Sequence, residues 1–281
     1  MGALKDIVDE LSGKSNRQRR EIVKEHLKSL GLQYEEQKFY CRMHSNILVD
    51  LPTKDPGQKK IIVASHYDKV EGSPGANDNA SAVAVVLGLA EKLKDAHLDV
   101  PVMLAFFDME ENYHIYGALN GSMNYIKRNG TDDIKAVLNF ELVGEGQVPV
   151  FWPLINQSQE YKKTIEDATL ATGAQPYFVE DIIMNAGDHT SFQYTGVPDA
   201  ICLTLGCQED AHFLEEAQQI KAEDMKKDLK TLQEFNIRVF YQSATFRNYH
   251  RNTDLPQFIN EDSLRLAEKI ALGFIKKSRN D

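Results

Sequence analysis

The chain has 281 residues, 42% of them hydrophobic and 26% charged, which is enough apolar material for the full core of an ordinary globular protein. A net charge of -10, with no basic run, excludes the positive patch that nucleic acid or an anionic membrane surface would need. No stretch approaches the roughly 20 apolar residues of a membrane span.

The opening segment MGALKDIVDELSG has the spacing of an amphipathic helix and lacks the apolar centre of a secretion leader. Three sparse cysteines (Cys41, Cys202 and Cys207), outside metal-finger spacing, are expected to be free, buried thiols. Both features lead to the expectation of a soluble, cytoplasmic protein.

A helix is predicted over residues 17–30, where Ile22, Val23, Leu27 and Leu30 fall at helical spacing and Gly31 stops it. A strand pair follows across 37–51, closed by Pro52. Residues 60–65 (KIIVAS) and 100–107 (VPVMLAFF) are short apolar runs of the kind that form strands buried on both faces, with a helix over 81–94 between them. The same alternation continues with a helix at 121–128, a strand at 136–140, a helix at 157–171 and a strand at 197–205. It predicts an α/β fold, a three-layer sandwich around a central mixed, mostly parallel sheet. No repeat or linker divides it, so a single domain over 1–281 is expected.

Ligands of such sheets bind in the crevice at the carboxyl ends of the strands, so the polar residues just after each apolar run carry the functional information. Here they are acidic or histidine. His66 and Asp68 follow KIIVAS; Asp108, Glu110 and Glu111 follow VMLAFF; Glu141 follows AVLNF. The segment GANDNASA adds Asp78, and NYHRNTD adds His250. Taken singly, an HxD pair or an EE turn is more often solvated surface. Together, imidazole and carboxylate are the donors that a zinc-type ion takes, and one bridging carboxylate with two further ligands per ion would hold a pair about 3.5–4 Å apart. Asp68, two residues beyond His66 and on the same strand face, can accept the ring N–H that an ion does not use. Adjacent side chains diverge, so Glu110 and Glu111 cannot share one role.

In this order, SHYD, GANDNASA with Asp78 twelve residues after His66, DMEE, NFELVG, GDHTSF and NYHRNTD resemble the motifs of the di-zinc aminopeptidases of the bacterial leucyl-aminopeptidase type, relatives of glutamate carboxypeptidase and glutaminyl cyclase. The resemblance spans roughly residues 45–206 and 246–275. It implies a zinc-exopeptidase-like fold with two divalent metal ions, zinc being the expected metal. Asp78 would bridge both ions, His66 and Glu141 complete one site, and Glu111 and His250 complete the other. Glu110 would be the general base, Tyr249 would help stabilise the oxyanion, and Asp188 and His189 of GDHTSF would line the substrate pocket. A cis peptide between Asp78 and Asn79 is also implied.

The implied activity is removal of N-terminal residues from peptides with a free N-terminus. Two alternatives stay open: a glutaminyl cyclase-like acyltransferase with a single zinc, and a non-catalytic binding protein on the same fold. Glu141 stands where the family usually has aspartate, and the stretch NYHIYGALN after Glu111 is longer than in aminopeptidases. Residues 209–245 form a charged helical insertion, within which 225–241 is expected to be a packed amphipathic helix that serves as a lid or a contact in a homo-oligomer. Among the other histidines, His26, His44 and His97 are expected at the surface, whereas His114 and His212 lie in or beside the insertions, within reach of the cleft.

Overall fold

The computed structural model describes residues 2–111, 117–180, 187–219 and 229–278. Two helices, α1 (Leu4–Leu11) and α2 (Asn16–Ser29), precede the first strand. In α1 the residues Leu4, Ile7, Val8 and Leu11 make one buried stripe, the helical periodicity that the sequence shows. A capping box starts α2: the Ser15 hydroxyl accepts from the Gln18 N–H at 3.3 Å, while the Gln18 side chain accepts from the Ser15 N–H at 3.0 Å.

Eight strands form one sheet: β1 (Glu35–Phe39), β2 (His44–Asp50), β3 (Lys60–His66), β4 (Val102–Phe107), β5 (Ile134–Phe140), β6 (Val148–Leu154), β7 (Tyr177–Glu180) and β8 (Ala200–Gly206). Their order is β1-β2-β4-β3-β5-β8-β6-β7. The inner strands β4, β3, β5 and β8 are parallel, β1 and β2 run antiparallel on one edge, and β6 pairs antiparallel with β8 on the other. The sheet is therefore mixed, with a parallel centre, as expected.

Alternation along the inner strands feeds two cores. Ile61, Val63, Leu104, Phe106 and Leu138 pack with helices α3 (Ser81–Leu93) and α9 (Glu261–Lys277) on one face. Ile62, Ala64, Met103, Ala105 and Phe107 pack on the other with Tyr125 of α4 (Asn120–Asn129) and Phe192 of α6 (Asp188–Tyr194). Both faces are covered, so the strands read in sequence as unbroken apolar runs. Helix α5 (Gln159–Leu170) joins the first face, where Tyr161 meets Phe274 of α9 edge to face.

The expected insertion is helical where it is described, with α7 (Ala211–Gln219) and α8 (Leu229–Gln242). Phe213, Phe235 and Val239 bury themselves against Val150 and Trp152 of β6. At its base the Asp210 carboxylate accepts from the Ser243 and Thr245 hydroxyls, both at 2.6 Å, and from the Ala244 and Thr245 N–H groups at 2.9 and 2.8 Å. These bonds tie the start of the segment to its end.

Some expectations fail. Cys41 is exposed rather than buried, although Cys202 and Cys207 are buried and all three thiols are free. Strands β6 and β7 and helix α6 were not anticipated. Among the described residues no helix is long and apolar enough to cross a membrane.

Candidate metal centre

The parallel strands deliver their polar residues to one edge. His66 is the last residue of β3, Asp108 to Glu111 follow β4, and Glu141 follows β5. Asp78 lies in the turn Ala76–Ala80 ahead of α3, and the bond from Asp78 to Asn79 is cis. His250 lies between α8 and α9. Met109, Leu142 and His250 all take positive φ, of 56°, 55° and 58°, a conformation that costs energy for residues other than glycine and turns the chain sharply beside the cluster.

His66 is oriented from below. Its Nδ1 is 3.1 Å from the Asp68 carbonyl and 3.4 Å from Asp68 Oδ1, which leaves Nε2 facing Asp78 Oδ1 at 3.4 Å and Glu141 Oε2 at 3.2 Å. The Asp68 carboxylate also accepts the backbone N–H groups of Glu110 and Glu111, each at 3.2 Å. One aspartate thus fixes both the histidine and the acidic loop.

The second oxygen of Asp78 faces the other way, with Oδ2 3.3 Å from His250 Nε2, which is itself 3.1 Å from Glu111 Oε2. Two three-residue groups result, His66–Asp78–Glu141 and Asp78–Glu111–His250, and within each the ligand-type atoms lie within 4.8 Å of one another. A third grouping of His66, Glu110 and Glu111 overlaps them. The structure thereby brings together all five residues expected as ligands.

Glu141 is held on both sides: Asn79 Nδ2 donates to Oε2 at 2.8 Å and Asn139 Nδ2 to Oε1 at 3.1 Å. Glu110 is buried, with Oε2 3.9 Å from His66 Nε2.

So many buried carboxylates cannot all ionise comfortably without a cation. Burial pushes the Glu110 and Glu141 carboxyls above their ordinary range against the opposing charge of His66, and burial with the Asp78 charge pushes Glu111 up to about 7. Burial alone would lower His66 and His250, but the surrounding acids outweigh it, raising His66 well above its usual value and His250 to about 10. Asp78, between two imidazoles, is lowered despite its burial. Glu111 Oε1 is buried with no hydrogen-bond partner among the described residues. An orphaned oxygen, two imidazoles and a carboxylate shared between two triads are a donor set that fits a pair of zinc-type ions.

Asp188 and His189 open α6, fully buried, and neither the Asp188 carboxylate oxygens nor the His189 ring nitrogens have hydrogen-bond partners among the described residues. Burial raises Asp188 to about 7 against the nearby Ser122 hydroxyl, which itself bonds to Ser191 at 2.8 Å, and against the His66 charge, with Glu141 and Asp68 adding to the rise. Burial lowers His189 to about 3, and its ring meets Trp152 edge to face at 5.3 Å. Tyr249 stacks on the His250 ring at 3.7 Å. A groove of about 420 Å³ runs from His250 past Tyr249 and Arg251 to Ile237, Phe240 and Tyr241 of α8.

The remaining histidines stay apart. His212 is exposed, with its Nδ1 3.1 Å from the Glu209 carbonyl. His44 is half-buried and paired with Asp108 at 3.1 Å, His26 with Glu10 at 2.8 Å, and His97 is exposed. His114 lies outside the described residues.

Four residues of this region were missed in the sequence. Asn79 and Asn139 steady Glu141. Asp254, the last letter of NYHRNTD, accepts the N–H groups of Asn77 and Asp78 at 2.7 and 3.1 Å. Arg19 lies beneath the Asp78 turn.

The model of Peptidase family M28 matches residues 46–275. Aminopeptidase YwaD of Bacillus subtilis is 29% identical over 150 residues, which is 50% of this chain and 31% of that protein. The chain thus spans about a third or less of the curated relatives it matches. Among solved structures, BSAP, a zinc aminopeptidase from Bacillus subtilis, has a TM-score of 0.61 at 21% identity, covering 82% of this chain and 49% of that one. Porphyromonas gingivalis glutaminyl cyclase has a TM-score of 0.67 at 16% identity, covering 97% and 96%.

Proposed function

As this chain belongs to peptidase family M28, we propose that it is a metal-dependent aminopeptidase that removes N-terminal residues from peptides, with two divalent ions, zinc in both places. One observation carries this reading: a single carboxylate, Asp78, presents one oxygen to His66 and the other to His250, each in its own triad. His66, Asp78 and Glu141 would hold one ion, and Asp78, Glu111 and His250 the other.

Bound ions would polarise the scissile carbonyl and lower the pKa of water toward neutrality. The chain's own residues do the rest. Glu110, uncommitted to either triad, takes a proton from water at its carboxylate and returns it to the leaving amine, and its upward-shifted pKa suits that exchange. Asp68 keeps His66 in one tautomer. The Tyr249 hydroxyl steadies the carbonyl oxygen, and the unpartnered Asp188 carboxylate and His189 line the wall that receives the peptide's N-terminal residue. Free cysteines suit a reducing compartment such as the cytoplasm.

The test is to strip the protein with chelator, reload it with zinc, count the ions, and offer aminoacyl p-nitroanilides and short peptides with free or acetylated N-termini. Two ions per chain and release of the first residue from free peptides only is the expected result. One ion with cyclisation of N-terminal glutamine would establish the cyclase alternative, and a two-zinc protein inert towards every free peptide would overturn the aminopeptidase.

A further inference from the structure

Arg19 is a fully buried arginine on α2, and among the described residues the hydrogen-bond partners of its guanidinium are backbone carbonyls. Nε donates to Leu11 O at 3.2 Å, Nη1 to Tyr67 O at 3.3 Å, and Nη2 to Pro74 O at 2.9 Å and Gly75 O at 2.6 Å. These carbonyls belong to three pieces of chain: the end of α1, the SHYD segment between His66 and Asp68, and the start of the turn that carries Asp78. The fit is tight on the far side as well. Gly75 has φ of +67°, and a Cβ there would lie 2.5 Å from Arg19 Nη2.

A buried guanidinium without a directly paired carboxylate is costly unless something nearby uses its charge. The surroundings supply that use: Asp78, Asp254, Asp68 and Glu111 all act on it through space, and although burial lowers its pKa to about 10 it remains charged at neutral pH. From the opposite side, Asp254 grips the N–H groups of Asn77 and Asp78. The loop is therefore clamped by a cation on its carbonyls and an anion on its amides.

We propose that Arg19 is a positioning residue that preassembles the Asp78 loop for metal, so that the N-terminal helix pair, which lies ahead of the matched residues 46–275, is part of the metal centre. This rests on the two-ion reading above. Bridging demands that both Asp78 oxygens be aimed at once, and a loop free to tilt would satisfy only one triad at a time.

The test compares Arg19→Met, Arg19→Lys and Leu27→Ala, the last a buried residue on the same helix that is absent from the clamp. Zinc stoichiometry and affinity are read by competition with a chromophoric chelator, and thermal unfolding is followed in the zinc-free state. Arg19→Met is expected to bind zinc about 10–100-fold more weakly, the usual scale for losing support behind a ligand. Arg19→Lys should fall between it and the parent, and Leu27→Ala should lose thermal stability while keeping zinc affinity. Parental affinity in Arg19→Met, or in Arg19→Lys should the former not fold, overturns the proposal, as does an equal loss in Leu27→Ala. If the parent protein itself takes up no zinc, the two-ion reading fails instead.

Discussion

Glu110 and Glu111 are sequence neighbours placed in different company, and the difference predicts different variants. Glu111 lies beside His250 and within an Asp78 triad, whereas Glu110 lies 3.9 Å from His66 Nε2 and belongs to neither Asp78 triad. Glu110→Gln should keep its zinc and lose about 10²- to 10⁴-fold in kcat, measured with metal content on the same sample. Glu141→Asp retracts a carboxylate that touches Asn79, Asn139 and His66 by one methylene. It should surrender one ion on dialysis while keeping the other, and retention of both at parental affinity would remove Glu141 from the ligand set. Protonation follows the same residues. In the metal-free protein the raised His250 pKa of about 10 means that its charged form is favoured by folding, a contribution present below the ordinary histidine range and lost as pH rises through about 10. An ion needs that nitrogen unprotonated, as it does at His66. Zinc uptake at pH 7 should therefore release protons, seen as a buffer-dependent heat in calorimetry, and zinc affinity should fall as pH falls.

At the scale of elements, what could be read from the sequence followed burial. Strands β3, β4, β5 and β8 announce themselves because both faces are covered, and the first three bring His66, Glu110 with Glu111, and Glu141 to the cluster at or just beyond their carboxyl ends. Strand β6 does not, since Pro149 and Pro153 remove backbone donors and make VPVFWPL look like a loop. It nevertheless pairs with β8 through Val150 opposite Thr204. Arg19 and Asp254 were illegible for a different reason: their partners are backbone groups, which leave no trace in residue identity. Helix α8 buries Phe235 and Val239 and leaves Ile237 and Tyr241 58% and 75% exposed along the groove that ends at His250. Replacing either by serine should raise KM about 10-fold for peptides with bulky apolar residues and leave kcat and small substrates nearly unchanged, because uniform binding is what an apolar wall supplies. No change in the ratio between bulky and small substrates would show that the peptide does not use this groove.

Across the whole molecule, buried acidic groups gather at the carboxyl ends of the central strands, and folding has to tolerate their repulsion whenever no cation is present. Ions that bind only the folded chain add stability by mass action, about 1.4 kcal/mol for each tenfold excess of free metal over its dissociation constant. Unfolding temperature should therefore climb with free zinc and drop on chelation, while Glu110→Gln shows the same dependence as the parent. A melting point indifferent to zinc would mean that the acidic cluster is not a metal site.

The cluster is also ordered along the chain. His66, Asp78 and Glu141 sit on and around β3 and β5, strands that pair directly, whereas His250 comes about a hundred residues after Glu141. A ribosome adding about 5–20 residues per second needs roughly 5–20 s to cover that distance. During that interval the emerging chain holds all three members of one triad but only two of the other, and for its first part the β5 edge still awaits β8. The His66 triad is thus complete about a hundred residues before His250 is added, so the two proposed ion sites become available in that order.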